Sequence, residues 1–444
     1  MTEKVELFFY DAFTPPSQLL AVVEFLVRAK RLIAAAFDSS KTRLLLAFSL
    51  VFLLSACAEM PLSNFNDPFA QAETNAQGQS VEPVDVYLAG VSFTGNYSDR
   101  KRNYPYASEL ADQLDRKFAE TLSSYPLKNV VLHKELGDIR NANSVAVTLG
   151  INQETIASTK VPGYGVKTVI DIYAELFFFD FSEKKIIRSV PINYQYIALS
   201  DKAYTKAQLR AVISNLYYGK TEGLKENLLE YAARELANVR LQESAGARVR
   251  IAKVEFSEEA SKKLKRVNVK LGQFEVGLAQ MLQKSLTDNL KISVVPYTKG
   301  EAIGAKMPAR FANGSSYMFE LPQADYEFAL RVKDLRTVRD TESSQSVDTE
   351  AYFVYLDLAF SQPDLSKNYM NRHFRAFGTS TPIKGQQTVL SLAYQETMGE
   401  FLEGFAETLR TPSDEWLETV VAKDQVQSVR KDIRAVRKIL EKAL

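Results

Sequence analysis

The sequence is poor in the residues that most active sites draw on. It has one cysteine in 444 residues, which excludes an intramolecular disulfide and leaves any domain to be held by its core alone. It has two histidines, His133 and His373, each in an apparent strand with no carboxylate, Ser or Cys at a meaningful spacing. Metal sites need clustered His, Cys or carboxylates, so no metal is expected. A G-x-S-x-G elbow is missing, and Gly163-Tyr164-Gly165 is a turn signal without the lysine and hydroxyl that a phosphate-cradling loop requires. Glu258-Glu259 reads as a solvated turn. Charge of either sign is not in excess: 55 Lys and Arg face 54 Asp and Glu. That balance gives no electrostatic footprint for nucleic acid. These shortages predict a chain with no catalytic residues and no cofactor, not an enzyme. A hydrolase with dispersed paired carboxylates stays a formal alternative, because such pairs form in space and not in sequence.

Long apolar runs are also scarce, and the one at Leu44–Ala56 is therefore informative. As a helix it would span about 20 Å at about 1.5 Å per residue, short of the roughly 30 Å hydrocarbon layer. Lys41 and Arg43 precede it, the order of charge and apolar stretch found in a signal peptide. Residues 1–40 lie ahead of those charges. Two readings fit them: a cytoplasmic extension, with an amphipathic pattern over Gln18–Phe37, or translation from an upstream start codon.

The run ends in Leu54-Ser55-Ala56-Cys57, which resembles the lipobox of bacterial lipoproteins. The resemblance implies cleavage before Cys57 and acylation (palmitate included) of its thiol and new amino terminus. It also implies attachment to a membrane through that lipid. Ala58, where an Asp would be the retention signal, looks like an outer-membrane address. The expected location is the outer membrane, facing the periplasm. Several acyl chains, at about 0.8 kcal/mol per buried methylene, hold a domain firmly. In residues 57–444 the basic and acidic side chains balance.

Residues 57–84 are polar and aperiodic, a flexible tether. Two similar units follow, over 85–241 and 247–411. Val86–Phe93 (VYLAGVSF) matches Val249–Phe256 (VRIAKVEF). Helical spacing follows each, with Leu110, Leu114, Phe118 and Leu122 in the first and Phe274, Leu278, Leu282 and Leu286 in the second. A short strand, a longer strand and a long hairpin come next in both, before closing helices. The expectation is an α+β fold of two related domains, each a mostly antiparallel sheet with helices on one face, plus a C-terminal helix. The element order resembles the α/β modules of the curli-secretion lipoprotein, the peptidoglycan-synthase activator lipoproteins and the N-terminal domain of the Tol translocation protein.

That resemblance implies a periplasmic binding or assembly module, with a protein partner in a secretion, appendage or cell-wall machine. It also raises a second reading, an oligomeric ring or export pore, since the hairpins are long enough to cross a membrane. Phe177-Phe178-Phe179 interrupts the alternation a barrel stave needs. In residues 412–444, Val426, Val429, Ile433, Val436 and Leu440 form a heptad seam. It suits either packing on its own domain or docking a partner, including a second copy of the chain.

Overall fold

The computed structural model describes residues 83–95, 97–134, 144–161, 163–241, 247–298, 306–341, 346–384 and 388–443. All of them belong to one compact unit, Asp67–Leu444. The lipobox, Cys57 and the tether before residue 83 lie outside the described residues.

The fold is α+β, with two mostly antiparallel sheets and a C-terminal helix. The first half runs β1 (Val84–Thr94), α1 (Arg100–Asn103), α2 (Ala111–Ser124), β2 (Val130–His133), β3 (Val145–Val161), β4 (Gly165–Asp180), β5 (Ile186–Ser200), α3 (Lys206–Tyr218) and α4 (Leu228–Asn238). The second runs β6 (Val249–Phe256), α5 (Glu258–Arg266), α6 (Leu271–Leu290), β7 (Val294–Val295), β8 (Lys306–Phe311), β9 (Ser316–Glu320), β10 (Tyr326–Asp340), β11 (Thr349–Gln362), β12 (Lys367–Ser380), α7 (Leu390–Arg410), α8 (Asp414–Val420) and α9 (Val426–Leu440).

The internal repetition is topological. β1 pairs parallel with β3, which starts an antiparallel meander through β4 and β5. Likewise β6 pairs parallel with β10, which leads an antiparallel meander through β11 and β12. Both long second strands carry a register shift, between Ile151 and Gln153 in β3 and between Val332 and Asp334 in β10. A bulge of this kind reverses which side chains face the core beyond it. In β3 it turns Glu154 inward where strict alternation would have turned it out. β1 has its own irregularity at Gly90, whose φ is +84°. A Cβ there would sit 2.0 Å from the Asp115 carboxylate, which accepts the Val91 amide at 2.8 Å. Only glycine fits both demands.

Several helices start where local chemistry tells them to. Thr205 with Gln208 and Asn227 with Glu230 form capping boxes at α3 and α4. Ser257 caps α5, with Glu258 and Glu259 in the first turn and Lys263, Lys265 and Arg266 in the last, matching the helix dipole. Glu258-Glu259 is therefore helix and not the turn that its charge suggested.

One core joins β1, β3, β4 and β5 to α2, α3 and α4, and includes Leu110, Leu114, Phe118 and Leu122. A second joins β6, β10, β11 and β12 to α5 through α9, and includes Phe274, Leu278, Leu282 and Leu286. Val426, Val429, Ile433, Val436 and Leu440 are all buried in this second core. The chain itself thus covers the heptad seam; α9 packs against β12, α7 and α8.

A third cluster has no counterpart in the sequence reading. The β8–β9 hairpin leaves the second half of the chain and joins the first sheet, giving the order β5-β4-β3-β1-β8-β9. β2 occupies the edge of β1 over Val84–Tyr87, so β8 pairs with the remainder, Ser92–Thr94. Phe311, Phe319 and Met307 then pack on Phe177 and Phe179, with the Phe179 and Phe319 rings 4.7 Å apart. Phe178 points into the first core instead. The triple phenylalanine thus keeps its alternation, and both parities of Phe177-Phe178-Phe179 are apolar because both faces of β4 are buried there.

Candidate binding surface

Two regions hold polar groups in arrangements that a bare fold does not need: the seam between the first sheet and α6, and the outer face of the second sheet.

The seam arises because α6 is used twice. Its apolar positions enter the second core, while Gln280 and Gln283, both fully buried, face the first sheet. Glu175, on β4, accepts a hydrogen bond from the Gln283 amide and another from Asn152 Nδ2 at 3.4 Å. Burial pushes its carboxyl up to about 7 despite the pull of these donors, Ser189 and Gln280. Three acceptors around it, Gln280 Oε1, Gln283 Oε1 and Asn193 Oδ1, have no partner among the described residues. An excess of acceptors is what a protonated carboxyl can relieve, since only that form donates.

Asp171 lies two alternations before it on β4, with Tyr173 between them on the same face. Gln195 donates to its Oδ1 at 2.7 Å, while Thr155 and Gln395 donate to Oδ2 at 3.0 and 3.1 Å. Burial raises its pKa against those bonds. Glu154, turned inward by the β3 bulge, accepts from the amides of Tyr106 and Ala107 and from the Tyr217 hydroxyl at 2.9 Å. Burial pushes it up to about 7 as well. A cleft of about 420 Å³ opens beside these groups, floored by Thr155, Asp171 and Tyr173 and walled by Phe274, Leu278 and Gln395. In each of these carboxylates the oxygens are engaged by donors that tie strands to helices. Their evident work is to join elements.

The second sheet is built differently. Its helices lie on one face, and the other is open. Strand register sets Arg336, Phe353 and Phe377 in one row, Asp334, Tyr355 and Arg375 in the next, then Arg331, Asp357 and His373. Phe353 and Phe377 approach to 5.3 Å between ring centres. The Arg375 guanidinium lies 5.9 Å from the Phe353 ring and that of Arg336 5.2 Å from the Tyr355 ring, distances at which a cation is attracted to the ring face. Phe377 is 49% exposed, unusual for its type. Six cations on this face, Arg250, Lys253, Arg331, Lys333, Arg336 and Arg375, stand beside five carboxylates, Glu255, Glu327, Asp334, Asp340 and Asp357. Four of the six are paired, with Glu327, Glu255, Asp357 and Asp334, and Arg331 and Arg375 make no ion pair among the described residues.

Both histidines find carboxylates across strands. His133 Nε2 lies 2.7 Å from Asp85 and its ring stacks on Tyr87 at 4.8 Å. His373 Nδ1 contacts Asp357 on the open face, where Lys333 also approaches Asp357 at 3.7 Å. These pairs join residues 48 and 16 positions apart, which is why spacing along the chain did not disclose them. Among the described residues no group of three or more His, Cys, Asp or Glu is placed to hold a metal, and no helix is long and apolar enough to cross a membrane.

No family model and no curated protein matches the chain. Among solved structures it is similar to a neuraminyllactose-binding hemagglutinin homolog from Helicobacter pylori, at 13% identity over 42% of this chain and 91% of that one, with a TM-score of 0.22. It is also similar to a minor lipoprotein from Acinetobacter baumannii, at 9% identity over 36% and 90%, with a TM-score of 0.20. At these scores neither likeness bears on the site.

Proposed function

We propose that this chain is a non-catalytic lipoprotein, acylated at Cys57, held to the outer membrane and facing the periplasm, where it serves as a binding module of a cell-envelope assembly. The open face of the second sheet is the observation that carries the binding role. A sheet face that exposes aromatic rings among cations costs hydration and solubility, and such patches mark interaction sites. The non-catalytic reading is supported by the seam, whose carboxylates are already engaged in joining strands to helices. The lipobox supports the location.

The ring or pore reading has less to rest on. The apolar faces of β3–β5 and β10–β12 are covered by helices of the same chain, which leaves no continuous lipid-facing belt on either hairpin.

The test joins both halves of the proposal. Cells expressing the chain are labelled with a palmitate analogue, and a photo-crosslinking residue is placed at Tyr355. Label should enter the wild type and be lost in Cys57→Ser, and the Tyr355 position should give a discrete adduct with an envelope component. An unlabelled wild-type chain found in the cytoplasm would overturn the location. Discrete adducts from control positions on α3 but none from Tyr355 would overturn the binding face.

A further inference from the structure

We propose that the open face of the second sheet binds an anionic glycan, a hydroxyl-rich saccharide polymer carrying carboxylate or phosphate groups. This rests on the reading of that face as the binding surface and adds the chemistry of what it binds.

Three features of the face select the ligand together. The first is its sign. Arg250, Lys253, Lys333 and Arg336 are paired with Glu327, Glu255, Asp357 and Asp334, while Arg331 and Arg375 have no ion-pair partner among the described residues, so the uncompensated charge of the face is positive. The occupant therefore carries net negative charge.

The second is the interspersed carboxylates. Asp357 sits in the middle of the cationic rows, and Glu255 lies beside Lys253 at 3.4 Å. A ligand whose polar groups are all acceptors, such as a nucleic-acid backbone, would meet these carboxylates as repulsion at every pass. A sugar hydroxyl both donates and accepts, so it can bond Asp357 and the neighbouring arginines at once. Acceptors set among donors thus favour hydroxyl-bearing polymer over polyphosphate.

The third is the rings. Phe353, Tyr355 and Phe377 occupy two successive rows of the sheet, about 7 Å apart along the strand direction. A flat apolar ring suits the C–H face of a pyranose, which leaves the hydroxyls at its rim free to reach the charged residues. An extended peptide is served poorly here. The backbone groups of β10 and β11 are spent on their neighbours and only the outer edge of β12 has no strand partner among the described residues, so a peptide lying across the face finds no ladder to join.

The experiment measures binding of the full chain to four probes at low and physiological salt: polygalacturonate oligomers, neutral amylose oligomers, poly-L-glutamate and oligo(dT). Polygalacturonate should bind most tightly. Phe353→Ala/Phe377→Ala should weaken it by about tenfold, roughly the effect of one lost stacking contact, while leaving poly-L-glutamate almost unmoved. Arg336→Gln/Arg375→Gln should weaken both. Circular dichroism and melting of each variant establish that the fold is retained, and Phe377→Leu supplies a milder change if the double variant is unstable. Equal affinity for poly-L-glutamate and polygalacturonate would overturn the proposal, as would an unchanged affinity in the ring variants. Tighter oligo(dT) binding would overturn it in favour of a nucleic-acid platform. A result against the glycan leaves the crosslinking test at Tyr355 standing by itself, so the two readings fail separately.

Discussion

Replacing Glu175 by glutamine should make the protein more stable at alkaline pH and leave it nearly unchanged in acid. The carboxyl is fully buried between β4 and α6, and burial lifts it from an ordinary 4.5 to about 7. Below pH 4.5 it holds a proton whether the chain is folded or not, so it contributes no pH dependence. Between 4.5 and 7 the unfolded chain has lost the proton and the folded one retains it, and stability falls as pH rises. Above 7 the loss is complete. The window corresponds to about 3 kcal/mol. Glutamine is neutral at every pH and nearly the same shape. Its amide N–H donors can also serve the lone acceptors of Gln280, Gln283 and Asn193. Urea unfolding of wild type and Glu175→Gln at pH 5, 6, 7 and 8 should therefore give a difference that starts at about 1 kcal/mol and grows to about 3 kcal/mol in favour of the variant. A difference that is the same at all four pH values would refute the reasoning. It would mean that Glu175 is ionised in the folded chain over this range, as it is in the unfolded one.

Other perturbations separate the roles of the remaining features. Gly90→Ala forces a side chain into a left-handed residue facing Asp115 and should cost about 1–3 kcal/mol by chemical denaturation. Gly163→Ala, with a similar φ but open space around it, should cost less. Phe319→Ala should cost about 3–5 kcal/mol and open Lys306–Glu320 to limited proteolysis ahead of the rest of the chain. Ile433→Asp puts a charge into the second core and should lower the melting temperature of the isolated protein, whether or not any partner is present. Finally, His133→Ala removes a stacking contact and a hydrogen bond to Asp85 at the rim of the first sheet and should move stability by no more than about 1 kcal/mol.

Much of this architecture was legible because it is local. The spacing of Leu110, Leu114, Phe118 and Leu122 specifies a helix with one buried face, and the match of VYLAGVSF to VRIAKVEF announces a repeated unit. What escaped is what depends on partners far away in the chain. The short strands of the β8–β9 hairpin carry no strong period of their own. Their destination is set by the part of β1 that β2 leaves uncovered, more than two hundred residues upstream. Gln280 and Gln283 read as the wet side of α6, and only a second sheet laid over them makes them buried. Phe177-Phe178-Phe179 looked like a break in alternation for the same reason. The rows on the open face were written in the sequence of β11, where Phe353 and Tyr355 alternate with Val354 and Leu356. With both parities apolar or aromatic, that strand does not say which side meets water. The histidine partners and the inward turn of Glu154 needed register and a bulge, which no spacing rule supplies.

The β8–β9 hairpin also sets an order of events as the chain emerges, N-terminus first, where it folds. Phe177 and Phe179 emerge well before Phe311 and Phe319. The first sheet can assemble its helical side early, yet its other side stays greasy and uncovered until about 140 more residues have followed. Throughout that interval β1 presents an unpaired edge over Ser92–Thr94, an invitation to foreign strands. A nascent chain built this way needs a holding factor or a fast second half. Cutting the gene at the joint between the repeats would make the exposure permanent, so the N-terminal half expressed alone, without α6 and the β8–β9 hairpin over its sheet, should aggregate.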